Sequence, residues 1–313
     1  MTPARRDLLL GAIAAGAGLS APRVLAAVPG APRPLTPQTR WAPPPAQAPA
    51  REGLIDINGV RLWHWDTGGA GEPIVLLHAF TGSAASWRYQ QPVFAAAGYR
   101  VIAYSRRGHF RSEVGPLDRT GAASEDLLAL ADALKLDRFH FVGTAGGGFV
   151  GPDFALSHPE RLLSMTLAST QGGCTEPSFR AAIARIQPPS FLAMPAEVRE
   201  VGPSYRIAYP EGVEQWIAQE HQSTEGRPRT NQTSVNNLTW DNIGRIGTPT
   251  QMFTGDADLY MPPPQMRLYA SYMRNCGTAV IGEAGHSAYW EQPEAFNRLV
   301  LSFVRRHPAR RRR

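Results

Sequence analysis

The chain has 313 residues, 43% of them aliphatic or aromatic, enough for one large α/β core or two small ones. Its formal net charge of +6 sits at the two ends: residues 1–26 carry +2 and residues 305–313 carry +6, leaving −2 for residues 27–304. A nearly neutral body argues against nucleic-acid binding, and the arginine-rich end over 308–313 reads as a solvated tail.

Taken in chain order, Arg5-Arg6 precede the apolar stretch Leu8–Leu19, and Val24-Leu25-Ala26 offers a cleavage site. This pattern predicts a twin-arginine export signal over residues 1–26, and so a periplasmic or secreted protein. The apolar run is short for a bilayer, so no stable membrane insertion is expected once the signal is removed. Residues 27–51 are crowded with proline, which excludes helix and interior strand, and are expected to be an extended, mobile linker.

From residue 52 to 307 strand and helix patterns alternate. Leu54–Ile57 and Val60–Trp65 flank Asn58-Gly59, a hairpin signal. Ile74–Leu77, Arg100–Tyr104, Phe139–Val142 and Leu162–Ala168 are short apolar runs of the kind found in strands buried on both faces. Residues 118–135 have helical periodicity, two late strands are expected at 250–254 and 278–281, and a closing helix over about 293–306. The alternation predicts an α/β fold, a doubly wound and mostly parallel sheet whose ligands bind at the carboxyl ends of the strands. Residues 171–246 show no apolar strand run but several short helical patterns, the mark of a helical cap inserted between two core strands.

The most informative position is Ala145. Gly143-Thr144-Ala145-Gly146-Gly147 follows an apolar strand and precedes a helical pattern, the setting of a G-x-S-x-G nucleophile elbow, with alanine in place of the serine. Four further motifs stand in order around it: His78-Ala79-Phe80, Ser105–Ser112, Gly255-Asp256-Ala257-Asp258, and Gly285-His286 followed by Trp290, Glu291 and Pro293. Together they make residues 52–307 resemble the α/β-hydrolase superfamily, in its single-cap layout the enol-lactonase and carbon–carbon-bond hydrolase groups. In the Ser105–Ser112 segment Phe110 stands where those relatives have a second glycine.

The resemblance implies roles. His286 is the expected general base, neutral near pH 7, with Asp258 orienting it and Asp256 as the rival acid. The backbone N–H groups of Phe80 and Gly146 are the expected oxyanion hole, which survives the loss of serine because it uses no side chain. His78 is expected to be structural. Tyr205, Trp216, Trp240, Tyr260 and Tyr289 are candidate substrate-binding residues, giving an aromatic enclosure for a small, apolar or aromatic carbonyl compound such as an ester, lactone or β-diketone. No cofactor is expected: the glycines at 143–148 lack the G-x-G-x-x-G spacing. No metal site is expected either, since only Cys174 and Cys276 are present and the histidines are not clustered.

Ala145 itself has three readings at this level: a serine-to-alanine exchange made to trap substrate, a hydrolase or cofactor-independent lyase or oxygenase that works through the His–Asp dyad, or a binding protein that has lost its chemistry. Ser169 and Ser287 are weaker candidates for a displaced nucleophile. The actual substrate, the oligomeric state, and whether Cys174 and Cys276 pair are left open by the sequence.

Overall fold

The computed structural model describes residues 41–309 except 225, 227 and 229. The expected export signal, most of the proline-rich segment and the last four arginines therefore lie outside the described residues.

Asn58 and Gly59 both take positive φ (51° and 78°), the conformation a two-residue turn needs to match strand twist, and they close the hairpin of β1 (Arg51–Ile57) and β2 (Val60–Asp66). The apolar runs then become β3 (Pro73–Leu77), β4 (Arg100–Tyr104), β5 (Phe139–Thr144), β6 (Leu162–Ala168), β7 (Thr250–Gly255) and β8 (Cys276–Ile281). They form one sheet in the order β1-β2-β4-β3-β5-β6-β7-β8, antiparallel at β1-β2 and β2-β4 and parallel from there on. β3, β5 and β6 are buried along nearly their whole length, which explains why their sequences do not alternate.

Helices cover both faces. α1 (Gln91–Ala96), α2 (Ala123–Ala133) and α3 (Val150–Ser157) follow β3, β4 and β5. The 118–135 periodicity thus begins to be helical only at Ala123, and its first residues form a loop. Between β6 and β7 the described residues contain no strand but five helices: α4 (Pro177–Ala184), α5 (Ala196–Glu200), α6 (Pro203–Ala208), α7 (Pro210–Thr224) and α8 (Trp240–Ile243). α9 (Pro263–Ser271), α10 (Ala288–Glu291) and α11 (Pro293–Val304) complete the chain. Two apolar clusters result, one on each face of the sheet.

The proline-rich segment differs from expectation where it is described. Residues 41–50 have no secondary structure, yet they are tied to the body. The Gln91 side chain both accepts from Ala48 N and donates to Ala48 O at 2.8 Å, imitating a strand pair. Gln47 Nε2 donates to Arg88 O at 2.8 Å and Tyr89 OH to Ala42 O at 2.7 Å. A segment unable to form helix has instead recruited side chains of the body to satisfy its backbone. The cysteines are both free thiols, Cys174 buried and Cys276 half-buried, and burial pushes them up to about 11 and about 12.

Candidate active site

The carboxyl ends of β3, β5, β6 and β7 deliver the site. β5 ends at Thr144, and the chain turns at Ala145 with φ +48°, a left-handed conformation that is strained for any residue with a Cβ. The turn is tight enough that a Cβ on Gly147 would lie 2.3 Å from Leu77 O, and one on Gly143 would lie 2.8 Å from Gly147 O. The elbow geometry is therefore complete, and only the hydroxyl is missing. Thr170 Oγ1 fixes the apex by donating to Ala145 O at 2.6 Å.

Beside the apex, Gly146 lies in the first turn of the 3-10 helix Ala145–Phe149, where backbone N–H groups lack an intrahelical acceptor. Phe80 packs directly on it: a Cβ on Gly146 would fall 2.4 Å from Phe80 Cδ2. The two residues that carry the candidate oxyanion donors are thus neighbours. His78 is wholly buried behind them, accepting from Arg106 N at 2.9 Å through Nε2 and facing Ala79 O at 2.7 Å through Nδ1. That pair of contacts fixes the neutral tautomer with the proton on Nδ1, and burial keeps its pKa well below the ordinary value.

The loop after β7 settles which carboxylate faces the histidine. Asp256 accepts from Glu283 N and Ala284 N, pinning the turn before His286. Asp258 instead meets His286 Nδ1 with Oδ1 at 2.9 Å and Oδ2 at 3.0 Å. It also accepts from Thr254 Oγ1 at 2.7 Å, Tyr260 N at 2.8 Å and Met261 N at 3.0 Å. Burial alone would raise the Asp258 pKa, but the His286 charge and these donors outweigh it and hold the carboxyl below its usual range. For His286 burial works downward and is outweighed by Asp258, Glu200 and Glu291, so the imidazole titrates above its ordinary value. Its Nδ1 is occupied by Asp258, leaving Nε2 for a reacting group.

Of the five aromatic candidates, only Tyr260 reaches this histidine, its ring centroid 4.3 Å from that of His286, with its hydroxyl accepting from Arg199. Trp216 is one contact removed, donating Nε1 to Ser287 Oγ at 3.1 Å, which also occupies that serine. The other three are corrected. Tyr205 is buried against Tyr209, with its hydroxyl close to Gly212 of α7. Tyr289 packs on Trp87 and Phe296. Trp240 stacks on Tyr272 at 4.1 Å, in the cluster with Phe179 and Tyr269. Tyr205 and Tyr289 present their rings to a packed core and half-buried Trp240 packs at its edge, because aromatic content does not say which face of a helix a ring occupies.

Three further polar groups stand at the site, of which the sequence singles out only Ser169. Glu200, 5% exposed at the end of α5, accepts from Thr81 Oγ1 at 2.7 Å, and its backbone carbonyl accepts from Ser287 N at 2.9 Å. Arg106, 7% exposed, lays its guanidinium over the Phe80 ring at 4.6 Å, with Nε and Nη2 buried and unpartnered. Burial pushes it down to about 10, so it remains charged at neutral pH. Ser169, which directly follows β6 at φ +47°, has a buried hydroxyl without a partner among the described residues. The Arg-Arg doublet was the one sequence signal for Arg106, since a single carboxylate, Asp126, satisfies only Arg107.

Comparison with known proteins agrees with this architecture. Residues 72–227 match the family model described as alpha/beta hydrolase fold. The chain is 30% identical over 281 residues to a 2-hydroxy-6-oxononadienedioate/2-hydroxy-6-oxononatrienedioate hydrolase of Burkholderia vietnamiensis, covering 80% of this chain and 93% of that one. It is 27% identical to the 2-hydroxy-6-oxo-6-phenylhexa-2,4-dienoate hydrolase of Comamonas testosteroni, covering 78% and 91%. Among solved structures, an esterase of Thermogutta terrifontis superposes with a TM-score of 0.68 at 24% identity, over 83% of this chain and all of that one. The chain belongs to the α/β-hydrolase fold family.

Proposed function

We propose that this protein hydrolyses a small carbonyl compound that carries a carboxylate, an ester, enol lactone or β-diketone-like substrate, without a serine nucleophile. The observation that carries the reading is the His286–Asp258 pair, hydrogen-bonded through Nδ1, in a chain whose elbow retains its strained turn at Ala145. Losing the nucleophile of a serine hydrolase costs about 10⁶ in turnover. General-base catalysis supplies about 10²–10⁴, which suffices for an activated carbonyl but not for an ordinary amide. In the proposed reaction His286 Nε2 takes a proton from water, the water oxygen bonds to the carbonyl carbon, and the developing oxyanion is held by the Phe80 and Gly146 N–H groups. The bond to the leaving group then breaks, the departing atom takes up a proton and the imidazolium gives one up to solvent, so that one water is consumed and the base is restored. The unpaired Arg106 beside Phe80 supports an anionic substrate, and the dienoate and dienedioate named for the relatives are carboxylates that fit it.

The test compares the chain without residues 1–26, its His286→Ala variant and its Ala145→Ser variant on enol lactones and activated esters bearing a remote carboxylate. Native turnover is expected to fall by about 10²–10⁴ in His286→Ala, with no covalent adduct formed by a fluorophosphonate. Native inertness together with strong activity in Ala145→Ser would refute the water mechanism. Labelling of the native chain at Ser169 would move the nucleophile there, an alternative favoured by that residue's own strained turn and free hydroxyl.

A further inference from the structure

Two carboxylates enter this site from outside the His–Asp pair, and they are used differently. Glu291 is saturated: it accepts from Gly285 N with both oxygens (3.0 and 2.9 Å), from Gly202 N at 2.8 Å and from Ser287 N at 3.1 Å. Three backbone donors on one carboxylate make it a clamp between the histidine loop and the start of α6. Glu200 has a single polar partner for its side chain. Thr81 Oγ1 donates to Oε2, and among the described residues no hydrogen bond is made to Oε1. Among the described residues no salt bridge engages it, although the Arg199, His286 and Asp258 charges are felt there.

Its position is equally specific. Thr81 follows Phe80, one of the two candidate oxyanion donors, and the Glu200 carbonyl receives the N–H of Ser287, the residue after the candidate base. Glu200 therefore stands between the loop that would hold the oxyanion and the loop that carries the imidazole. A hydroxyl donating to Oε2 leaves Oε1 as the oxygen on which a proton resides. Burial raises the Glu200 pKa above the usual carboxyl range, against the pull of His286, the Thr81 hydroxyl and Arg199.

We propose that Glu200 is the proton donor to the leaving group, so that acid and base in this site are two separate residues rather than one histidine serving both. The proposal rests on the hydrolytic reading above. His286 Nε2 removes a proton from water, whose oxygen bonds to the carbonyl carbon. As the tetrahedral oxyanion collapses back to a carbonyl, the bond to the leaving oxygen breaks, and that oxygen takes the proton from Glu200 Oε1. The proton on the imidazolium returns to the Glu200 carboxylate through solvent, so one water is consumed and both groups are restored. In a serine hydrolase one histidine takes the nucleophile's proton and hands it to the leaving group within the same half-reaction. A direct attack by water happens once, and a second group can be ready for the departing oxygen. The substrates this suits have basic leaving groups, alcohols or enolates, that cannot depart unprotonated.

The experiment measures leaving-group dependence. A series of esters with one acyl part and leaving groups running from p-nitrophenol through phenol to simple alcohols is assayed with the native chain, Glu200→Gln and Glu200→Asp. Glu200→Gln is expected to lose about 10²-fold on the alkyl esters and little on the p-nitrophenyl ester, which needs no acid. Glu200→Asp is expected to recover part of the alkyl-ester rate. Equal loss across the series in both variants, at unchanged Tm, overturns the proposal and leaves Glu200 a strut. If the native chain hydrolyses none of the esters, the infrared carboxyl stretch near neutral pH decides independently. A protonated-carboxyl band missing from Glu200→Gln keeps Glu200 as an acid while the hydrolytic reading fails, and identical spectra overturn both.

Discussion

Arg106 and Arg107 are neighbours in sequence with opposite surroundings. Arg107 gives its Nε and Nη2 edge to Asp126, both contacts at 2.7 Å, while Arg106 holds the same edge buried with nothing opposite. An unpaired buried charge costs several kcal/mol, and a native structure that keeps one invites an anion to complete it. A planar fork of this kind pairs best with a carboxylate. Replacing Arg106 by Met is therefore expected to shrink the ratio of kcat/KM between a substrate with a remote carboxylate and its neutral methyl ester by about 10- to 100-fold, the worth of a charge-assisted hydrogen bond. The same substitution removes an unsatisfied charge for an apolar chain of similar reach, so Tm is expected to stay equal or rise. A ratio that does not move, measured on protein of native Tm, eliminates the anion seat.

At the scale of elements, the segment 41–50 is a strap rather than a tether. It binds α1 through Gln91 and the loop before it through Arg88 and Tyr89. At its start Trp41 lies against α7, where a Cβ on Gly212 would come within 2.7 Å of the indole nitrogen. α7 is part of the insertion, so the strap joins insertion to core. Trp41→Ala is expected to cost about 1–2 kcal/mol, less than a fully buried tryptophan because the ring is half-exposed, and to lower Tm by a few degrees. A chain beginning at residue 51 should melt lower still; melting curves that coincide with that of the chain beginning at 41 would return the segment to a passive linker. This element also marks the limit of what the sequence discloses. Prolines correctly exclude helix and strand from 41–50, but they are silent on whether side chains elsewhere will satisfy the backbone. The sheet was legible because burial on both faces writes continuous apolar runs, and the elbow because its glycines are forced by contacts as close as that between Gly147 and Leu77 O. Asp258 and His286 stood out because they follow strand ends with glycine beside them. Glu200 left no trace, since it sits in a short helix of the insertion and meets Thr81 only through a contact 119 residues away in sequence.

For the whole molecule, charge and cysteine state bear on where the protein works. The net positive charge resides in the terminal stretches, and the body of residues 27–304 sums to −2. We propose that the first of these basic stretches is a twin-arginine export signal. Twin-arginine export moves chains that have already folded, and this fold asks for nothing the cytoplasm lacks. Its two cysteines are unpaired, so no disulfide has to form after transport, and burial keeps both thiols above the range in which they would be reactive thiolates in an oxidising compartment. The Gln91–Ala48 contacts place the strap beyond the expected cut after Ala26, so cleavage would leave it intact. Expressed at full length in a bacterial host, the protein is expected in the periplasmic fraction as a shortened chain, and the double change Arg5→Lys with Arg6→Lys should hold it in the cytoplasm at full length. Export that is indifferent to this double change, or that stops when only the general secretory route is blocked, would remove the twin-arginine assignment, because a charge-preserving exchange matters only to a receptor that reads the arginine pair itself.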